Sequence, residues 1–374
     1  MTIYPNLILD ALRTVRYPGT GKDIVDMGMV NDDIRIDGNR VSLSLTFEKP
    51  TDPFIKSVVK AAEAAILAHV GNDVEIKGNI GVKTAQDNPV RKIEKPLPGV
   101  KNIIAVSSGK GGVGKSTIAC NLAVALAMQG YRVGLLDADI FGPSMPKMFG
   151  AEDAQLYMHE VDGKNLIIPL EKYGVKMLSL GFLVDKEKAI LWRGAMASNA
   201  LRQLINEADW GELDYFVIDL PPGTSDIHLT LVQTLAITGA IVVTTPQQVA
   251  LADARKGISM FMGEHVNVPV LGIVENMSWF TPASHPDEQY FIFGHDGGKQ
   301  LAETLGVELL GQIPLVAGIC KGSDDGMPVV RMNDVSGVAF KQLATRVIDA
   351  IERRNETLPP PKSCKLTNYI LTKV

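Results

Sequence analysis

A glycine-rich segment, GKGGVGKST at Gly109–Thr117, constrains this chain more than any other part of it. An apolar run ends just before it at Ser108, and a long apolar helical pattern begins just after it at Ile118. A glycine-rich turn between a buried strand and a helix points several backbone N–H groups into one concavity, with the positive end of the helix dipole behind them. The segment therefore predicts a phosphate-binding loop.

The residue types of this segment have distinct expected roles. Gly109 and Gly114 let the backbone turn and approach the phosphates, and Lys115 reaches the outer phosphates. The hydroxyl of Ser116 ligates magnesium, and Thr117 contacts an inner phosphate. The expected nucleotide-binding residues of the segment are Gly109, Lys110, Gly111, Gly112, Val113, Gly114, Lys115, Ser116 and Thr117. A glycine-rich turn without a ligand is the alternative interpretation.

Two other apolar strand patterns end in acidic residues. The first ends in Leu135-Leu-Asp137-Ala-Asp139, where the two carboxylates share an orientation if the strand continues. The second ends at Asp219 and is followed by Leu-Pro-Pro-Gly223, and an aspartate in this position is typical of a magnesium-holding carboxylate. The N–H of Gly223 is expected to face the terminal phosphate and to shift when that phosphate leaves. Ordinary strand ends and turns are the alternative for both.

Beyond about residue 100, apolar strand-like runs alternate with helical patterns. Strands are predicted at 102–107, 132–137, 214–219, 240–245, 268–275 and 307–313, and helices at 116–129, 195–207, 226–237, 250–262, 297–305 and 335–353. Strands buried on both faces that alternate with helices predict an α/β fold with a doubly wound, mostly parallel sheet. Ligands bind such sheets at the carboxyl ends of the strands, where these motifs lie.

The chain is expected to contain two domains. Residues 1–80 carry two helical patterns, a hairpin with its turn at Asp37-Gly-Asn39 and a strand near 74–77, which predict a small α+β domain. Residues 81–100 are polar with three prolines and are expected to form a linker. The nucleotide-binding domain is expected to span 101–354, and the proline-rich segment 355–374 to form an extended or disordered tail.

Composition limits the classes of partner. The 374 residues carry a formal net charge of -5, with 46% hydrophobic residues and no apolar run long enough to cross a bilayer. The N-terminal stretch lacks the basic start, unbroken apolar centre and cleavage site of a signal peptide. We therefore expect a soluble, cytoplasmic protein with neither a membrane nor a nucleic-acid partner, because the acidic balance gives no general attraction to anionic surfaces.

Lys110, directly after the first glycine, makes the loop similar to the deviant P-loop of the MinD, ParA and nitrogenase iron protein group. With LLDADIFGPSMP, DYFVIDLPPGTSD, TTPQ, GIVENMSWF, FGHDGG and GQIPL, residues 101–354 resemble the Mrp/ApbC family of iron–sulfur cluster carriers. Residues 5–80 resemble the small domain that precedes the ATPase in many of these proteins. The resemblance implies a P-loop NTPase fold and a homodimer that closes on ATP, hydrolyses it slowly with magnesium, and passes clusters from assembly factors to apo-proteins.

The resemblance also implies residue roles. Lys110 reaches across the dimer to the partner's nucleotide and serves catalysis together with Lys115. Asp139 orients or activates the attacking water. Asn276 presents its amide to the edge of adenine, although an isolated asparagine at a strand end is more often a turn residue. The implied magnesium shell comprises Ser116, Asp137 and Asp219.

The sequence departs from the family pattern where a cluster is expected. Relatives usually carry a CxxC pair after ENMSWF, so that a dimer offers four thiolates to one cluster. Here the corresponding segment Thr281–Pro286, TPASHP, has no cysteine, and Glu48–Pro53 has none where relatives often place one in the small domain. The three cysteines of the chain are Cys120, Cys320 and Cys364, and no two have the spacing of a metal-ligand pair.

Three explanations of this departure remain open. A cluster is held by Cys320 from two subunits with other ligands, such as His285 or a partner's thiols. Alternatively, the chain carries no cluster and keeps an ATP-driven conformational role, or it binds a cluster only weakly and transiently. The competing functions are a ParA- or MinD-like dimerisation switch that acts on a partner, and a non-catalytic nucleotide-binding scaffold.

Overall fold

The computed structural model describes residues 5–31, 33–47, 49–71, 73–84, 96–140, 142–161, 163–183, 194–224, 226–263, 266–282, 284–285 and 287–363. Two compact units make up the chain, Met1–Glu94 and Lys95–Val374. Each unit has its own hydrophobic core, since none of the three buried clusters contains residues of both. Residues 85–95 of the expected linker and 364–374 of the expected tail lie outside the described residues.

The first unit combines two helices with a three-stranded sheet. The helices are α1 (Pro5–Leu12) and α2 (Ile55–Val70), and the strands are β1 (Arg35–Asp37), β2 (Arg40–Phe47) and β3 (Ile80–Thr84). β1 and β2 are antiparallel with Asp37 opposite Arg40, as the predicted hairpin requires. The buried face of α2, including Ala62 and Ile66, packs on Leu43 and Leu45 of β2.

β3 lies further along the chain than the predicted strand at 74–77. Val74 and Ile76 are buried in the core and Glu75 forms an isolated parallel bridge with Arg40, but the continuous ladder with β2 runs from Ile80, parallel to Leu43–Phe47. The strand therefore continues past residue 80 to Thr84, into the segment 81–100 expected to be a linker. Hydrophobic alternation located the buried residues correctly, whereas the pairing partner set the position of the strand.

The second unit is built on an eight-stranded sheet. Its strands are β4 (Val100–Ser108), β5 (Val133–Asp137), β8 (Leu170–Lys172), β9 (Val175–Ser179), β10 (Leu213–Asp219), β11 (Gly239–Thr244), β12 (Val270–Glu275) and β13 (Leu309–Gln312). The order is β13-β12-β11-β4-β10-β5-β9-β8, and only the β8–β9 pair is antiparallel. A separate antiparallel hairpin consists of β6 (Tyr157–Val161) and β7 (Lys164–Ile168).

Helices cover both faces of this sheet. They are α3 (Lys115–Met128), α4 (Met145–Met148), α5 (Gly194–Asn206), α6 (Asp226–Thr234), α7 (Gln248–Met262), α8 (Gly297–Leu305), α9 (Ala317–Asp324) and α10 (Val335–Thr357). Alternate residues of β4 point to opposite faces: Ile104 packs with α3 and α10, and Ile103 packs with α5, α6 and α7. The predicted α/β fold with a doubly wound, mostly parallel sheet is confirmed.

Two observations adjust the predicted outline of this unit. α10 continues to Thr357, into the expected tail, and Arg354 near its end is buried and donates to the carbonyl of Pro359 at 2.8 Å. The chain between α4 and α5 supplies β9 to the eight-stranded sheet, where β9 is the parallel neighbour of β5. No helix in the described part of the chain is both long and apolar enough to span a membrane.

Candidate functional site

The glycine-rich loop joins β4 to α3 in a conformation that only glycine adopts easily. Gly112 and Gly114 have φ angles of 82° and 84°, in the left-handed region. At Gly109 a Cβ atom would lie 2.2 Å from the carbonyl carbon of Asp253, so the α7 backbone leaves no room for a side chain. The loop ends on the first turn of α3, where free N–H groups and the helix dipole favour an anion. Thr117 lies half-buried in that turn.

Lys115 and Asp219 form a buried ion pair at the base of the loop. The Lys115 Nζ donates to Asp219 Oδ1 at 2.5 Å and to Ser116 Oγ at 3.2 Å. The Lys115 side chain is only 6% exposed and that of Asp219 is fully buried. Burial raises the pKa of Asp219, and the opposing charge of Lys115 and the Ser116 hydroxyl partly offset that rise. The structure thus brings together three residues that the sequence predicted to act on one nucleotide.

The donor set suits magnesium. Asp219 Oδ2 is buried without a hydrogen-bond partner in the described residues, and the Ser116 hydroxyl lies against the same carboxylate. Magnesium prefers oxygen ligands and is commonly held by one or two carboxylates together with phosphates and water. Within the described part of the chain no group of three or more His, Cys, Asp or Glu side chains is placed to hold a metal. A nucleotide-dependent magnesium site agrees with both observations.

Asp137 has a supporting position. Its Oδ1 accepts from the Asp139 N–H at 3.1 Å, and its Oδ2 accepts from the Met145 N–H at 3.2 Å and the Ser179 hydroxyl at 2.9 Å. Burial, and then the negative charge of Asp219, raise the pKa of Asp137 to about 7. Because both oxygens already accept hydrogen bonds, this carboxylate fits a support for the magnesium site better than a direct ligand.

Two residues that are expected to contact the nucleotide form hydrogen bonds with the backbone beside the loop. The Gly223 N–H, expected to face a terminal phosphate, donates to the Ser108 carbonyl at 2.9 Å. The Asn276 amide, expected to meet adenine, is buried and donates from Nδ2 to the Val113 carbonyl at 2.8 Å. The carboxyl ends of β10 and β12 lie close to the glycine-rich loop, so the Ser108 and Val113 carbonyls accept these two hydrogen bonds.

The remaining predicted residues surround this core. Asp139 is half-buried, and its charge is near enough to contribute to the raised pKa of Asp219. Lys110 is exposed, with its carbonyl accepting from the Ser108 hydroxyl at 3.0 Å. A depression of about 130 Å³ beside the loop is lined by Lys110, Gly111, Gly112, Val113, Thr245, Gln247, Ala250, Met277 and Phe293.

The cysteines differ in burial and in surroundings. Cys120 is buried in α3, and burial raises the pKa of its thiol far above the usual range. Cys320 is exposed on α9, with its Sγ 3.6 Å from Asp324 Oδ2. Cys364 lies outside the described residues. In the segment that replaces the expected CxxC pair, the Ser284 hydroxyl lies 2.8 Å from His285 Nδ1.

Sequence comparison places this geometry in a family. Residues 99–349 match the profile described as NUBPL iron-transfer P-loop NTPase, and residues 6–77 match that of an iron–sulfur cluster assembly protein. This chain is a member of the NUBPL iron-transfer P-loop NTPase family. The resemblance to cluster carriers and the P-loop NTPase fold predicted from the motifs are thereby confirmed.

Two relatives of this NUBPL-family chain match it over nearly their whole length. The iron-sulfur cluster carrier protein of Synechocystis sp. is 43% identical, over 91% of this chain and 97% of its own. The iron-sulfur cluster transfer protein NUBPL of Dictyostelium discoideum is 40% identical, over 88% of this chain and 98% of its own. A solved nucleotide-binding protein from Archaeoglobus fulgidus in complex with ADP is 38% identical with a TM-score of 0.54, covering 63% of this chain and 90% of that chain.

The contact between the loop and α7 gives a first prediction. We expect Gly109→Ala to lower the free energy of unfolding by about 1–3 kcal/mol, because the new methyl group must displace the α7 backbone. Gly111→Ala is the matched control, since its nearest neighbour would be Pro222 Cγ at 3.9 Å and its φ is not left-handed. Denaturant titration of the nucleotide-free proteins measures both, and equal stabilities would contradict the prediction.

The raised pKa of Asp137 gives a second prediction. The folded chain holds a proton on Asp137 up to about pH 7, whereas the unfolded chain releases it near the ordinary value of 3.8. The folded state therefore binds more protons between these values, and its stability falls as pH rises through them. We expect the free energy of unfolding of the nucleotide-free wild type, relative to Asp137→Asn, to decrease from pH 4 to pH 7. A difference that does not vary with pH would show that burial leaves this carboxyl ordinary.

Proposed function

We propose that this chain is an ATP-binding and slowly hydrolysing homodimeric carrier that binds iron–sulfur clusters and transfers them to apo-proteins. The observation that carries the proposal is the buried Lys115–Asp219 pair beside Ser116, directly beneath the glycine-rich loop. A magnesium nucleotide could replace both charges of this pair. A phosphate would take the place of the Asp219 carboxylate beside Lys115, and the magnesium ion would take the place of the Lys115 ammonium beside Asp219. Relatives that align over nearly all of their length are named as cluster carrier or transfer proteins.

The residues of the site divide the work of hydrolysis. Lys115 would meet the outer phosphates of ATP, and Asp219 and Ser116 would hold magnesium. When bound, that ion neutralises charge on the phosphates. Asp139 orients the attacking water, and Lys110 reaches the nucleotide of the partner subunit. The Gly223 N–H, which donates to the Ser108 carbonyl, would donate to the terminal phosphate when ATP is bound.

A third prediction tests the ATPase. Lys115→Ala removes the group that meets the outer phosphates, so we expect ATP turnover to fall on the order of a hundredfold or more. Lys101→Ala is the control. Lys101 is an exposed lysine that pairs with Asp214 of β10, and it lies at the end of β4 that is far from the glycine-rich loop. Phosphate release is measured with and without magnesium. Turnover by Lys115→Ala at the wild-type rate would refute the proposed site.

The scaffold alternative makes a different prediction for Asp139. If Asp139→Ala leaves phosphate release unchanged while ATP still closes the dimer, the nucleotide acts only as a structural ligand. Loss of turnover with retained ATP-dependent dimerisation supports the assigned role in orienting water.

The cluster is the cargo of the proposed carrier. The chain has three cysteines, fewer than the four thiolates that commonly hold a cluster. Among the described residues Cys320 is the exposed cysteine, so we assign it as the thiol to test. We propose that two Cys320 residues of a homodimer act with further ligands, such as His285 or thiols of a recipient or assembly factor. The unpaired cysteines suit the reducing cytoplasm, which we propose as the location. The unit matching the assembly-protein profile is proposed to be a separate domain before the ATPase.

A fourth prediction concerns iron uptake. After anaerobic reconstitution with iron and sulfide, we expect wild type to gain cluster absorbance and iron, and Cys320→Ala to retain less iron per dimer. Cys120→Ala is the matched control, because the Cys120 thiol is buried in α3. If wild type takes up no more iron than a cysteine-free variant, carriage by this chain alone fails. A dimerisation switch without a cluster would then be the better account.

A further inference from the structure

A turn after β9 contacts the segment that carries Asp139. Ser179, the last residue of β9, is fully buried and lies opposite Asp137 in the parallel ladder with β5. Its hydroxyl donates to Asp137 Oδ2 at 2.9 Å and accepts from the Gly181 N–H at 2.9 Å. One donor and one acceptor fix the rotation of the hydroxyl, so the serine holds the carboxylate in a single orientation.

The oriented carboxylate in turn holds both ends of the neighbouring segment. Asp137 accepts from the backbone N–H of Asp139 and from that of Met145, at the start of α4. Three donors, the two backbone N–H groups and the Ser179 hydroxyl, converge on the carboxyl group of Asp137. The backbone N–H groups of Asp139 and Met145 are therefore anchored on one carboxylate, that of Asp137. The Ser179 hydroxyl orients this carboxylate, so Ser179 also affects where the Asp139 side chain lies.

A steric contact acts on the same segment independently. A Cβ atom at Gly181 would lie 2.8 Å from Pro143 Cβ and 3.0 Å from Pro143 Cγ. The φ of Gly181 is not left-handed, so the requirement is for space and not for an unusual backbone conformation. The backbone of the turn thus packs directly on Pro143, between the two anchor points.

We propose that Ser179 and Gly181 are positioning residues for ATP hydrolysis, which together form a brace that holds the Asp139 and Met145 amides and Pro143 in place. The Ser179 side chain is fully buried. The two residues act through Asp137 and Pro143, and they set where Asp139 presents its carboxylate. The inference rests on the proposed ATPase function and assigns a role to β9, for which the sequence supplied none.

Steady-state kinetics test the brace. We expect Ser179→Ala to lower kcat for ATP roughly tenfold, because a buried hydrogen bond that orients Asp137 is lost, while KM stays within about twofold. Ser179→Thr, which keeps a hydroxyl, is expected to restore most of kcat. Ser336→Ala is the matched control, because Ser336 is also fully buried and its hydroxyl has no hydrogen-bond partner in the described residues. Equal kcat values for Ser179→Ala and wild type would overturn the proposal.

Gly181→Ala tests the steric contact between Gly181 and Pro143. It also provides a second test in case Ser179→Ala does not fold. It is expected to lower kcat without a comparable change in KM, because the methyl group pushes on Pro143. Gly257→Ala is its control, since a Cβ there meets nothing within 4 Å. A wild-type kcat for Gly181→Ala would remove this half of the brace.

Amide hydrogen exchange separates the brace from hydrolysis itself. In the nucleotide-free protein, Ser179→Ala is expected to speed exchange of the peptide that contains the Asp139 and Met145 amides, and Ser336→Ala is not. If wild type fails to hydrolyse ATP, the proposed function fails, and the exchange result alone then decides whether the brace exists. Unchanged exchange in Ser179→Ala would overturn it.

Discussion

The ion pair between Lys115 and Asp219 is the interaction around which the second unit is arranged. Placing either charge alone in so buried a position would cost several kcal/mol, because water no longer solvates it. The two charges offset that cost only while they remain together or while each meets another opposite charge. A phosphate for the lysine and a divalent cation for the aspartate satisfy this condition. The pair is therefore stable without a ligand, yet each partner can exchange the other for part of a magnesium nucleotide.

The parallel sheet explains why this pair is surrounded by other polar groups. β4 lies between β10 and β11, so the loop that follows it opens between connections that leave in different directions. The carboxyl ends of β5, β9, β10, β11 and β12 bring Asp137, Ser179, Asp219, Thr244 and Glu275 to one edge of the sheet, all buried. Buried polar groups need partners. The Ser179 hydroxyl donates to Asp137, Lys115 pairs with Asp219, and Glu275 accepts from the Gly298 N–H and from Gln312 Nε2.

Much of this arrangement could be predicted from local patterns. The glycine-rich loop, the apolar strands and the aspartates that end β5 and β10 each have a signature within a few residues. The partners of Gly223 and Asn276 could not be predicted in this way, because each depends on how far one strand extends beside another. Ser179 had no signature at all. It acquires a role only because β9, more than 40 residues beyond Asp137 in the chain, pairs beside β5 in a register that places the two side by side.

The nucleotide site and the cluster site differ in how much one chain supplies. Loop amides, a lysine, a hydroxyl and two carboxylates are all present in a single copy, with Lys110 exposed at the rim. Iron–sulfur clusters are commonly held by four thiolates, because iron in these clusters prefers soft sulfur ligands. The chain has three cysteines, of which Cys120 is buried in α3, so a single copy has too few thiols for such a site. Four thiolates then require two copies or a second protein, and otherwise nitrogen or oxygen ligands must complete the set. A second copy or a second protein makes cluster binding depend on association, and a nucleotide that controls association would thereby control the cargo.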